Sequence, residues 1–169
     1  MLSQAELRTA LHYNENTGVF TWRDYPLPSG KQRKSFGKGS VGATAGYPDK
    51  RGALQIRYLG KSYLAHRLAW LYVFGWFPKE IDHINVNPSD NRVRNLRLAT
   101  RAQQNANTRA RAANKTGFKG VSRCKGKFAA HIRVSGKSIY LGVFNSPEEA
   151  HAAYVKAANA AHGYFARAA

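Results

Sequence analysis

Between residues 120 and 143 the sequence alternates apolar and polar side chains in three short runs, 120–123, 127–134 and 137–143, divided by Lys125-Gly126 and Ser135-Gly136. Two-residue connections ending in glycine suit tight hairpins, because both central residues of such a turn take positive φ. The expected product is a three-stranded antiparallel sheet. Ser146-Pro147-Glu148-Glu149 comes directly after and carries a helix start in order: a capping hydroxyl, a proline in the first turn and two acids facing the helix dipole. Ala150, Ala153, Tyr154, Ala157 and Ala161 form the expected inner stripe of that helix, small enough to let it lie close on the sheet.

Upstream the signals are shorter. Residues 3–12 have helical spacing, with Ser3 as cap and Glu6 three residues on, the reciprocal pattern of a capping box. A turn at 14–18 leads to a short strand, Val19-Phe20-Thr21-Trp22. Residues 26–40 are rich in Gly, Ser, Lys and Arg, and are expected to form a basic loop whose Lys31, Arg33, Lys34 and Lys38 can lie on phosphates. Residues 54–58 and 61–64 around Leu59-Gly60 read as a hairpin, 65–74 as an apolar helix and 81–84 as a strand. Thr100 with Gln103 opens a further helix. Ile56-Arg57-x-x-Gly60-Lys61-Ser62 is echoed by Ile132-Arg133-x-x-Gly136-Lys137-Ser138; neither is a P-loop, since Gln55 and His131 stand where its first glycine belongs.

The charge narrows the partner. Lys and Arg number 27 against 9 Asp plus Glu, a formal charge of +18, and no acidic residue occurs between Asp90 and Glu148. A chain this one-sided repels itself unless a polyanion offsets it, so double-stranded nucleic acid is the expected partner. The segment has no signal-peptide pattern and no apolar run near the ~18 residues of a membrane span, which points to a cytoplasmic or nuclear setting without a membrane partner. One cysteine, Cys124, leaves no internal disulfide and no paired-cysteine zinc site, so any metal must rest mainly on His, Asp and Asn.

Residues 81–97 concentrate such groups. Asp82 and His83 are adjacent: a carboxylate can hold a hard divalent cation and a neutral imidazole can take a proton from water, a combination suited to phosphodiester hydrolysis. Neighbouring strand residues face opposite sides, so the pair can serve one phosphate only where the strand twists or ends. His66 and Arg67 sit at a strand-to-helix junction; the guanidinium can meet charge growing on phosphate, and His66 serves either there or as a structural hydrogen-bonding group. Asn85, Asn87, Asp90 and Asn91 read as turn formers. Trp70, Tyr72, Phe74, Trp76 and Phe77 read mostly as core, and His12, His151 and His162 carry no assigned role.

Tyr63-Leu64-Ala65-His66-Arg67-Leu68-Ala69-Trp70, Ile81-Asp82-His83-Ile84 and Asn91-Arg92-x-x-Asn95-Leu96-Arg97, followed by a polar helix, resemble the HNH homing-type endonucleases of phages and mobile elements. Gly120-Val121, Gly126 to Arg133, Tyr140-Leu141-Gly142-x-Phe144, Glu148-Glu149-Ala150 and Ala153-Tyr154 resemble the AP2 DNA-binding domain. Together the two resemblances span residues 54–165. The first implies a two-strand-plus-helix metal centre with His83 as general base, Asp82 as ligand to Mg²⁺ or Mn²⁺, and Asn95 bracing the loop between the strands. It also implies an amide or imidazole ligand on the helix. The familiar count reaches Gln104, with Asn105 next; these point about 100° apart, so only one can face the site, and Asn105 is the choice. The second resemblance implies a sheet set in the major groove. Arg123, Lys125, Lys127, His131, Arg133 and Tyr140 are expected on its outward side, with Lys137, Arg101 and Arg109 as further DNA contacts.

The expected architecture is therefore α+β: an N-terminal helix, strand and basic loop (1–53), a ββα-metal nuclease core (54–112), a linker (113–117), and a small three-stranded sheet packed on one helix (118–169). The expected activity is metal-dependent DNA hydrolysis, by a monomer or weak dimer needing no small-molecule cofactor. The alternative is a DNA-binding regulator built on an inactive HNH core.

Overall fold

The computed structural model describes residues 2–24, 41–108 and 114–166. The basic loop expected at 26–40 and Arg109 lie outside the described residues. The chain is mixed α and β with several small antiparallel sheets, and it packs as two compact units, Met1–Leu98 and Ala99–Ala169.

The first unit opens with α1 (Gln4–Ala10), started by the reciprocal cap: the Glu6 N–H donates to Ser3 Oγ at 3.2 Å, and the Ser3 N–H donates to Glu6 Oε2 at 2.8 Å. The helix stops two residues earlier than its spacing predicts. Leu11 is already extended, and β1 (Leu11–Asn14) pairs antiparallel with β2 (Val19–Trp22). A short β3 (Tyr47–Pro48) joins the hairpin of β4 (Leu54–Tyr58) and β5 (Lys61–Leu64), whose turn residues Leu59 and Gly60 have φ of 46° and 80°. The next elements are α2 (Ala65–Phe74), closed by Gly75 at φ 83°, and β6 (Ile81–His83). β6 pairs antiparallel with β7 (Leu96–Leu98).

One apolar core serves all of these elements. Leu7, Leu11, Phe20, Ile56, Leu68, Ile81 and Leu96 are all buried in it. Each large aliphatic or aromatic side chain so buried contributes roughly 1.5–3 kcal/mol. The core thus runs from the N-terminal helix through β7, with no break at residue 53. Trp70 lies within it, as the aromatic run predicts, whereas Phe74 and Trp76 are half exposed because α2 ends there.

The second unit begins with α3 (Arg101–Ala106), capped reciprocally by Thr100 and Gln103. The three runs that alternate in sequence form β8 (Val121–Cys124), β9 (Lys127–Val134) and β10 (Lys137–Phe144), with β9 central. Lys125 and Gly126 sit at φ 46° and 79°, Ser135 and Gly136 at 49° and 81°, the conformations that the hairpin turns demand. Helix α4 (Pro147–His162) starts at Ser146, whose Oγ accepts the Glu149 N–H, and covers one face of the sheet. Its buried stripe is Ala150, Tyr154 and Ala158, spaced by four; Ala153 and Ala157 are half-buried and Ala161 is exposed. A four-residue step drifts less around the helix than the mixed spacing read from sequence.

Candidate functional site

The centre of interest is the β6–β7 ribbon and the loop that joins its strands. Asp82 lies opposite Arg97 in the pairing, and Arg97 donates to Asp82 Oδ2 from Nε at 2.9 Å and from Nη2 at 2.8 Å. The carboxylate is only 8% exposed, so this pairing offsets a desolvation cost that a lone buried charge would bear in full. Asn95, 7% exposed, braces the loop. Its Oδ1 accepts the Asn85 N–H at 3.0 Å, while its Nδ2 donates to Asn85 Oδ1 at 3.0 Å and to the Asp90 carbonyl at 2.8 Å. Asp90 in turn binds the Arg92 guanidinium, which is the largest cause holding its carboxyl down at about 2. Asn85, Asn87 and Asp90 thus act as turn formers, bonding backbone N–H groups two residues on.

His83 is the last residue of β6, and its contacts differ from those of Asp82. Its Nε2 lies 3.4 Å from Asn91 Oδ1, and its ring meets the His66 ring edge to face, with centroids 4.9 Å apart and planes at 83°. Burial lowers the His83 pKa below the ordinary histidine value, partly countered by Asn91 and Asp82. His66 is pushed from 6.5 down to about 4, by burial first and then by repulsion from His83 and Arg67. Both imidazoles are therefore neutral at physiological pH, the state in which a histidine can accept a proton.

This burial predicts acid lability. Between pH 6.5 and about 4 the unfolded chain takes up a proton that folded His66 refuses. Stability therefore falls as pH drops through that window, by up to about 3 kcal/mol from this group. Urea melts at pH 7 and pH 5 should show the loss, and His66→Gln should flatten it.

Arg67 points elsewhere. Its guanidinium donates to the Pro78 carbonyl at 2.9 Å and the Lys79 carbonyl at 3.5 Å and lies over the Phe77 ring, so it ties α2 to the segment entering β6. Gln104 and Asn105 lie on α3 in the second unit, Gln104 half-buried and Asn105 exposed.

The sheet of the second unit presents a polar face opposite α4. Paired strand residues point to the same side, and Phe128, Ile132 and Val134 pack toward the helix. Lys127, His131 and Arg133 therefore face outward, with Ser138 opposite Arg133 and Tyr140 opposite His131. The His131 and Tyr140 rings lie 5.3 Å apart. Arg123 pairs with Phe128 and so shares the helix-side direction at the edge strand, Lys137 pairs with Val134, and Lys125 occupies a turn. All three are exposed, as is Arg101. Sequence parity missed the Arg123 direction because the one-residue offset between β8 and β9 is set by the pairing, not by either strand alone.

Residues 63–106 match the family model described as HNH endonuclease. No curated protein and no solved structure matches the chain. The HNH segment starts inside β5 and ends with α3, and contains His66, Asp82, His83, Asn91, Asn95, Gln104 and Asn105.

HNH nucleases generally use a divalent metal ion, and the donor chemistry here fits one class of ion. Among the described residues no group of three or more His, Cys, Asp or Glu side chains could hold a metal. A cation at Asp82 would have one protein carboxylate and would draw its remaining oxygens from amides, water and substrate phosphate. That is the habit of Mg²⁺ and Mn²⁺, which bind through one or two carboxylates and keep much of their hydration. No helix among the described residues is long and apolar enough to cross a membrane.

Proposed function

We propose that the chain is a metal-dependent HNH endonuclease that hydrolyses DNA phosphodiester bonds, and that the second unit is an AP2-like module which carries it to its target. The observation that carries this reading is the Asp82-His83 pair at the end of β6, within the segment matching the HNH endonuclease family. Asp82 would hold the cation, with Gln104 or Asn105 supplying an amide oxygen. A bound Mg²⁺ or Mn²⁺ would offset charge on the phosphate and the leaving oxygen. His83, neutral and half-buried, takes the proton from the attacking water. Asn95 keeps the loop between the two strands in one shape, so the imidazole is not carried off by loop motion.

Targeting rests on the polar sheet face. Lys127, Arg133, Arg123, Lys125 and Lys137 are exposed and come from a stretch without acidic residues, so they can neutralise phosphates, while His131 and Tyr140 lie where base edges would be read. A second reading, a DNA-binding regulator without cleavage, is favoured by the Arg97 pairing of Asp82 and by glutamine at position 104.

A supercoiled-plasmid assay with Mg²⁺ or Mn²⁺, against an EDTA control, decides between them. Metal-dependent nicking or linearisation is the expected result; tight binding without cutting selects the regulator. Binding should weaken steeply with salt, and Lys127→Ala with Arg133→Ala should flatten the log–log slope by about 1 for each phosphate contact removed.

A further inference from the structure

We propose that Asn91 is the positioning residue of this site: its side-chain amide holds His83 in the tautomer that carries the proton on Nε2, which makes Nδ1 the nitrogen that accepts a proton from water. The inference rests on the nuclease reading for its catalytic meaning. The tautomer itself comes from geometry alone.

The first step is the orientation of the amide. Asn91 is fully buried. Its Nδ2 donates to the Ser89 carbonyl at 3.2 Å, and a carbonyl can only accept, so the other end of the amide, Oδ1, faces the imidazole. Oδ1 is itself only an acceptor. At 3.4 Å from it, His83 Nε2 is attracted as an N–H and repelled as a lone pair. The separation is long for a hydrogen bond, as is common in catalytic centres without substrate. The edge-to-face contact with His66 fixes the plane of the His83 ring from another direction.

The second step is what holds Asn91. The Tyr13 hydroxyl donates to the Asn91 backbone carbonyl at 2.7 Å in a buried setting, and burial pushes the phenol up to about 12, so it remains a donor throughout the physiological range. Beside it the turn between β1 and β2 comes into direct backbone contact: a Cβ on Gly18 would lie 2.5 Å from the Arg92 nitrogen and 2.7 Å from the Asn91 carbonyl carbon. The N-terminal hairpin, which lies before the HNH segment, is thereby part of the apparatus that aims the base. Asparagine suits position 91 because it alone of the common buried residues can donate to one partner and accept from the other at this length; aspartate would set a second acceptor against the Ser89 carbonyl.

Long-range ¹H–¹⁵N correlation of the histidine side chains in the full chain, at neutral pH and without DNA, reads the tautomer directly. The expected result is His83 protonated on Nε2; protonation on Nδ1, or an even mixture, overturns the proposal. In Asn91→Leu, checked for folding by circular dichroism, the tautomer preference should be lost. Plasmid cleavage should then fall about 10- to 100-fold in kcat with KM for DNA unchanged, the size of effect seen when a group that orients a site ligand is removed. Should Asn91→Leu fail to fold, Tyr13→Phe leaves the amide in place but loosens its backbone, and a smaller kcat loss at unchanged KM is expected. Full activity in either folded variant overturns the positioning role. Absence of cleavage by the wild-type chain removes the nuclease reading and with it the catalytic half of the proposal, while the tautomer readout separates that failure from a mistaken geometry.

Discussion

Replacing His83 by alanine is expected to slow plasmid cleavage by about 10²- to 10⁴-fold, the range that a positioned general base contributes. The change removes the one imidazole that ends β6 beside Asp82 and leaves the Asp82–Arg97 pair and the Asn95 loop brace untouched. Fold and DNA affinity should therefore persist. Equal amounts of wild type and variant, compared over a time course with Mg²⁺ or Mn²⁺, give the ratio; the proportion of nicked to linear product gives the strand count for the wild type. Cleavage by the variant within a factor of ten of wild type would show that water is activated without His83.

Gly120→Ala is expected to unfold the second unit while leaving the first intact. Gly120 sits at φ 76°, where any Cβ is strained, and a Cβ there would lie 2.1 Å from Cδ2 and 2.5 Å from Cε2 of Tyr154. Tyr154 is 6% exposed and anchors α4 to the sheet, with Ile132 and Ala158 around it. Relief of the overlap means expelling that ring. The loss is about 3–5 kcal/mol for a large aromatic, with roughly 1–2 kcal/mol more for the left-handed backbone. A unit this small has little more stability than that to lose. The tryptophans, Trp22, Trp70 and Trp76, all lie in the first unit. Tryptophan fluorescence in a urea melt should hence be nearly unchanged, whereas the circular dichroism transition loses a component. Adding Gly120→Ala to Tyr154→Ala should cost far less than in the wild type, since the ring it strikes is gone.

Legibility in the sequence tracked the length and locality of each signal. The hairpins at Leu59-Gly60, Lys125-Gly126 and Ser135-Gly136 were readable because a positive φ at two adjacent positions is a local demand, met in all three turns. The caps at Ser3, Thr100 and Ser146 were readable for the same reason, each a bond to an N–H three residues away. The repeated Ile-Arg-x-x-Gly-Lys-Ser also has a structural counterpart: Arg57 pairs with Ser62 just as Arg133 pairs with Ser138. β7 is different. It has only three residues with Arg97 at its centre, too short for an alternation signal, and it exists because β6 and the Asn95-braced loop deliver it. On β10 the pairing shifts between Tyr140 and Gly142, so strict alternation misplaces Gly142, Val143 and Phe144. At the site, Asp82, His83 and Asn95 stood out by type and spacing. Asn91 did not, because among its neighbours it is one more turn-forming asparagine, and only burial and the approach of Tyr13 distinguish it.

The shared core of the first unit also limits how the chemistry can be transplanted. A recombinant fragment cut at the edges of the HNH segment would carry Leu68, Ala69, Leu71 and Ile81 but none of Leu7, Leu11, Phe20 or Ile56, the side chains packed with them. It would bring a complete motif with half an interior, and the greasy surface so uncovered would drive self-association before any DNA was met. For swapping between scaffolds the inheritable part is the whole of Met1–Leu98 together with the helix after it, and shuffling at motif borders would yield inclusion bodies in place of new specificities.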